Sequence, residues 1–65
     1  MVNAFIKTED GRRKFIATKN GVFYLNEDPI KAQNFQDEEA AHRAAYLLDD
    51  TRVAVLEFQT VKTNS

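Results

Sequence analysis

Polar and apolar positions alternate in short runs over the first 26 residues: Val2 to Thr8, Arg13 to Thr18 and Val22 to Asn26. Aromatic and β-branched side chains dominate these runs, and such residues suit a pleated, half-buried surface. Asp10-Gly11 and Asn20-Gly21 separate the runs. Both dipeptides favour two-residue hairpin turns, because type I′ geometry requires positive φ at both central positions. The pattern predicts a three-stranded antiparallel meander. With two-residue loops at both turns, Glu9 pairs with Arg12, Thr8 with Arg13, Ile6 with Phe15 and Phe5 with Ile16. In the second hairpin Thr18 pairs with Phe23, Ala17 with Tyr24 and Ile16 with Leu25. One face then carries Phe5, Ile16, Phe23 and Leu25, and the other Val2, Ala4, Ile6, Phe15, Ala17, Val22 and Tyr24. A slip of one residue would exchange these sets.

Asn26-Glu27-Asp28-Pro29 breaks the alternation, since Pro29 lacks a donor and pushes Asp28 away from helical geometry. Residues 30–35 read as irregular or briefly extended, with Ile30 and Phe35 as apolar plugs. Eleven residues between strand and helix exceed the usual connection in a compact domain and suffice to cross the sheet end.

From Asp37 the period lengthens to that of a helix. Asp37 is the expected N-cap, with Glu38 and Glu39 complementing the positive helix end. At 100° per residue, Ala40, Ala41, Ala44, Ala45, Leu47 and Leu48 share one side, and Glu39, His42, Arg43, Tyr46, Asp49 and Asp50 the other. Methyl groups dominate the apolar side, so the helix axis can lie close to a sheet. Thr51 to Val61 reads as the last strand, with Val53 and Val55 pointing one way and Ala54, Leu56 and Phe58 the other. It lies beside either the first or the third strand. Residues 62–65 are a frayed tail. The sum is β-β-β-α-β: one α+β domain over residues 1–65, its single helix packed on one sheet face.

Composition narrows the function. A chain of 65 residues buries only about 60% of its unfolded surface, and its stability should be about 3–10 kcal/mol. Domains this small usually add disulfides, metal or self-association. Without cysteine there are no disulfides, and one histidine with no calcium-loop spacing offers no metal site. Both glycines fall in the turns, leaving none for a phosphate-cradling loop, and no cofactor is expected. Nine basic and ten acidic residues are not the balance of a general polyanion binder. No apolar run approaches the roughly 18 residues of a membrane span, and the cytoplasm is the expected compartment.

Catalysis finds little material. His42 is the only side chain that ordinarily titrates near neutrality, but its predicted place is the solvent face of the helix. No serine precedes residue 64, and no nucleophile–histidine–acid set can be assembled, so an enzyme is not expected.

Two surfaces remain. If one helix shelters one sheet face, Ile6, Phe15 and Tyr24, with Val53 and Val55 when aligned, form a second apolar face that monomers seldom leave open. His42, Arg43 and Tyr46 make a further candidate contact on the outer helix face, tyrosine and arginine being favoured where proteins bind tightly. The competing expectation is a nucleic-acid binder acting through Lys7, Arg12, Arg13 and Lys14, with Phe5 and Phe15 as stacking platforms.

The segment Lys31-Ala-Gln-Asn-Phe35-Gln-Asp-Glu-Glu-Ala40 resembles the Ala-x-x-Phe, acid-cap, Glu-Glu-Ala arrangement of many small uncharacterised phage and bacterial proteins of strand-hairpin-helix-strand type. The resemblance implies a small accessory protein of phage or mobile-element type that binds a host or viral protein. It brings no functional residues with it. The expectation is therefore a non-enzymatic protein-interaction module, acting as a homodimer or as a subunit of an assembly.

Overall fold

A computed structural model describes residues 1–48 and 56–61. Four strands, β1 (Val2–Lys7), β2 (Arg13–Lys19), β3 (Val22–Asn26) and β4 (Glu57–Thr60), form one sheet in the order β3-β2-β1-β4. Every neighbouring pair is antiparallel. One helix, α1 (Glu38–Tyr46), packs on one face, so the fold is α+β as the pattern predicts. The last strand lies beside β1. Its expected start and the valines at 53 and 55 lie outside the described residues.

The second hairpin follows its sequence. Asn20 and Gly21 adopt φ of 53° and 76°, the two left-handed residues of a two-residue I′ turn. Lys19 therefore pairs with Val22, Ala17 with Tyr24 and Ile16 with Leu25.

The first hairpin differs by one residue. Thr8 O accepts from Gly11 N at 2.9 Å while Thr8 N donates to Arg12 O at 2.8 Å, which makes a three-residue loop of Glu9, Asp10 and Gly11. Gly11 supplies the one positive φ this loop needs, at 85°. Phe5 consequently faces Phe15, and Ile6 faces Lys14. The expected Ile6–Phe15 and Phe5–Ile16 pairs do not form. Alternation then redistributes the faces: Val2, Ala4, Ile6, Ile16, Phe23, Leu25 and Phe58 share one, and Asn3, Phe5, Phe15, Ala17 and Tyr24 the other.

The helix covers the first of these faces. Asp37 caps it, its Oδ1 accepting from Ala40 N at 2.8 Å. Ala41, Ala44 and Ala45 pack with Ala4, Ile16 and Phe35 in the buried core. Leu47, expected on the apolar side, is 73% exposed, although it keeps helical backbone geometry: at 100° per residue it lies about 110° from the centre of the buried Ala41, Ala44 and Ala45, at the margin of that side.

The long connection is structured. Pro29–Lys31 form a short 3-10 turn capped by Asp28, whose Oδ1 accepts from Ile30 N at 2.9 Å. Beyond the Phe5–Phe15 pair, β1 and β2 no longer pair with each other, and residues 32–35 supply their backbone partners. Gln33 N donates to Ile16 O at 2.9 Å, and Val2 and Phe35 exchange two bonds of 2.8 Å. Asn3, 8% exposed, fastens this strap from β1, its Nδ2 donating to Gln33 O at 2.8 Å and Asn34 Oδ1 at 2.9 Å. The strap also carries Phe35 into the core, its ring centroid 6.1 Å from that of Phe23.

Candidate interaction surfaces

The face opposite the helix is not an open apolar patch. Phe5 and Phe15 are each 4% exposed, with ring centroids 5.3 Å apart and planes tilted by 51°. Arg13 lays its guanidinium 4.7 Å from the centre of the Phe5 ring, a cation–π contact whose aliphatic stem also covers apolar surface. Pro29 and Gln59 flank Phe15 in a shallow groove of about 500 Å³, rimmed by Arg12, Arg13 and Glu27. Both rings are thus buried within the chain itself.

This changes the expected sheet interface. Ile6, Phe15 and Tyr24 do not lie on one face: Ile6 is 2% exposed on the helix side, Phe15 is buried on the other, and Tyr24 is half-buried beside Ala17. Val53 and Val55, the remaining members, lie outside the described residues. The sequence also allowed residues 27–35 to fold back over this face, and Pro29 does line the groove beside Phe15; nothing in linear order brings Gln59 there, which follows from the pairing of the last strand with β1.

The basic hairpin is also rearranged. Lys7 and Arg13 are cross-strand partners on one face, while Lys14 pairs with Ile6 on the other. Lys7 Nζ lies 3.7 Å from Glu57 Oε1. Arg12 contacts Asp10 at 3.3 Å and Glu27 at 3.8 Å. Arg13, already on Phe5, reaches Gln59 Oε1 at 3.4 Å. Three of the four cations therefore sit beside a carboxylate or an aromatic ring of their own chain. Phe5 and Phe15 offer no open ring face for a base to stack on. In the turn, Asp10 accepts from the Thr8 hydroxyl and from Arg12 N, and these bonds hold its carboxyl below the usual range.

The outer face of α1 is different. His42, Arg43 and Tyr46 are all exposed, as the helical pattern predicts. Tyr46 is 89% exposed, and Leu47 beside it adds a second large apolar side chain. His42 leans toward β4, its ring edge-on to Phe58 at 5.3 Å between centroids. Thus the last turn of the helix presents an aromatic, an aliphatic and a cationic side chain together. Among the described residues no group of three or more His, Asp or Glu side chains could hold a metal ion. No described helix is long and apolar enough to cross a membrane.

Compared with family models, with curated proteins and with solved structures, the chain matches none.

Proposed function

We propose that this chain is a small non-enzymatic module that binds another protein through the outer face of α1 near its C-terminal end. The observation that carries the reading is the adjacency of Tyr46 and Leu47, 89% and 73% exposed. Two large side chains this open and next to each other make a small contiguous apolar patch, and tyrosine and arginine recur where interfaces bind tightly. Hiding about 200 Å² of apolar surface there would contribute about 5 kcal/mol before association costs. Arg43 and His42, one turn earlier, supply the polar rim. Such a module fits an accessory protein of phage or mobile-element type working in the cytoplasm without a cofactor. Binding of nucleic acid by the basic hairpin is the lesser reading, since three of its four cations are engaged and its aromatics buried.

A photo-reactive residue at position 46, introduced into the full chain in its source cells, tests the proposal. A specific protein adduct is expected from position 46 and not from position 30, where Ile30 is as exposed at 88%. Tyr46→Ala should abolish co-purification of that protein while leaving the thermal midpoint unchanged. Equal labelling from both positions, or retention of the partner by Tyr46→Ala, would reject the helix face.

A further inference from the structure

The two edges of the sheet are unlike. At one edge β4 is four residues long, with a single apolar side chain in Glu57-Phe58-Gln59-Thr60. At the other, β3 reads Val22-Phe23-Tyr24-Leu25-Asn26, with no charge, no proline and an unbroken five-pair register against β2. Proteins ordinarily blunt an open edge with charge, proline or a bulge, because its free N–H and C=O groups invite another strand. Among the described residues β3 has none of these guards.

The ladder fixes which groups are open. In a two-residue hairpin the residues flanking the turn, Lys19 and Val22, exchange hydrogen bonds, and such pairs recur at every second position. Val22, Tyr24 and Asn26 thus direct their backbone groups to β2. Phe23 and Leu25 direct theirs outward. The Gln33 N to Ile16 O bond agrees, since Ile16, opposite Leu25, turns its carbonyl away from β3.

We infer that β3 pairs antiparallel with β3 of a second copy, about a two-fold axis through Tyr24, joining two four-stranded sheets into one. In that register Phe23 of each copy lies opposite Leu25 of the other. Both are outward-bonding residues, so each pair exchanges two backbone bonds and no open group on the strand is left over. Tyr24 meets its own counterpart, and Val22, 65% exposed, lies opposite Asn26 of the other copy. Charge favours the same direction. Lys19, the β2 partner of Val22, stands beside one end of β3, and Asp28 follows the other, so antiparallel pairing turns each basic end toward an acidic one. The outer faces of both helices stay open, and the dimer is independent of the binding proposed for Tyr46.

Light scattering on the full chain, from micromolar to millimolar concentration, tests this pairing. The mass should rise from 7.5 kDa to twice that value. Tyr24→Lys and Tyr24→Glu each place like charges opposite one another across the axis, and each should stay a single chain with native far-UV circular dichroism. An equimolar mixture of the two should recover the double mass. Wild-type protein that stays a single chain at millimolar concentration would overturn the inference, as would variants that dimerise like wild type. Should either variant fail to fold, amide exchange in the wild type decides. Phe23 and Leu25 should exchange more slowly as concentration rises, and rates independent of concentration would equally overturn it.

Discussion

On the helix side of the sheet, Ala4 and Ile16 meet three alanines of α1. On the other side, Phe5 and Phe15 meet no second layer of regular structure among the described residues, yet they are as inaccessible as the core residues. The first side is closed by regular geometry: a nine-residue helix with a methyl face can lie close to a pleated surface. On the second, the described contacts are side-chain ones: the two rings pack against each other and the Arg13 guanidinium lies over Phe5. A sheet in so small a domain can therefore bury apolar residues on both faces with one helix. An apolar second face does not by itself imply a partner.

If the second face belongs to the core, truncating it should cost as much as truncating the helix side. Phe15→Ala should destabilise by about 3–5 kcal/mol, comparable with Ile16→Ala at about 2–5 kcal/mol. Against an expected total of about 3–10 kcal/mol, either change could unfold most of the population at room temperature. Urea unfolding measures both, and a loss near zero for Phe15→Ala alone would break the equivalence of the two faces.

A smaller effect sharpens the role of the strap. Asn3→Ala removes two hydrogen bonds and leaves Gln33 O without its side-chain donor, at a cost of about 1–3 kcal/mol. Amide exchange should show Gln33 and Phe35 losing protection before the β2–β3 pairs. Simultaneous loss everywhere would mean that the strap and the sheet open as one unit.

The smallest effect concerns the turn that sets which residues reach which face. Asp10 should titrate below the ordinary aspartate range because the folded turn donates to its carboxylate, chiefly from Thr8. The sign follows from a depressed folded pKa. The turn's contribution is complete above the unfolded value and is lost as pH falls through the folded one. Carboxyl chemical shifts should move the Asp10 midpoint back toward the ordinary value in Thr8→Val. An unchanged midpoint would separate the titration from the loop geometry.

Local chemistry made some of this legible. Asn20-Gly21 specified both left-handed residues of its turn, so the β2–β3 register could be read residue by residue. Asp37 and the following acids marked the start of α1, and the alanine spacing marked its buried side. The first hairpin was harder, because Asp10-Gly11 suits either a two-residue turn or the end of a three-residue loop. Only Gly11 takes the left-handed conformation here, and that difference of one residue moved Phe5 across the sheet to Phe15. Of the candidate surfaces, the helix triad of His42, Arg43 and Tyr46 was readable from the period alone. The openness of Leu47 was missed, because the period puts it at the margin of the buried side rather than within it.

The order of residues by itself determined the first three strand segments, the second turn, the cap and buried side of the helix, and the α+β class, because each follows from contacts within a few positions along the chain. Only the tertiary structure decided that β4 lies beside β1, that residues 32–35 enter between β1 and β2, and that Arg13 lies over Phe5 on the second face. Those outcomes depend on groups far apart in sequence competing for the same backbone bonds and the same apolar surface, and no local period records which of them wins.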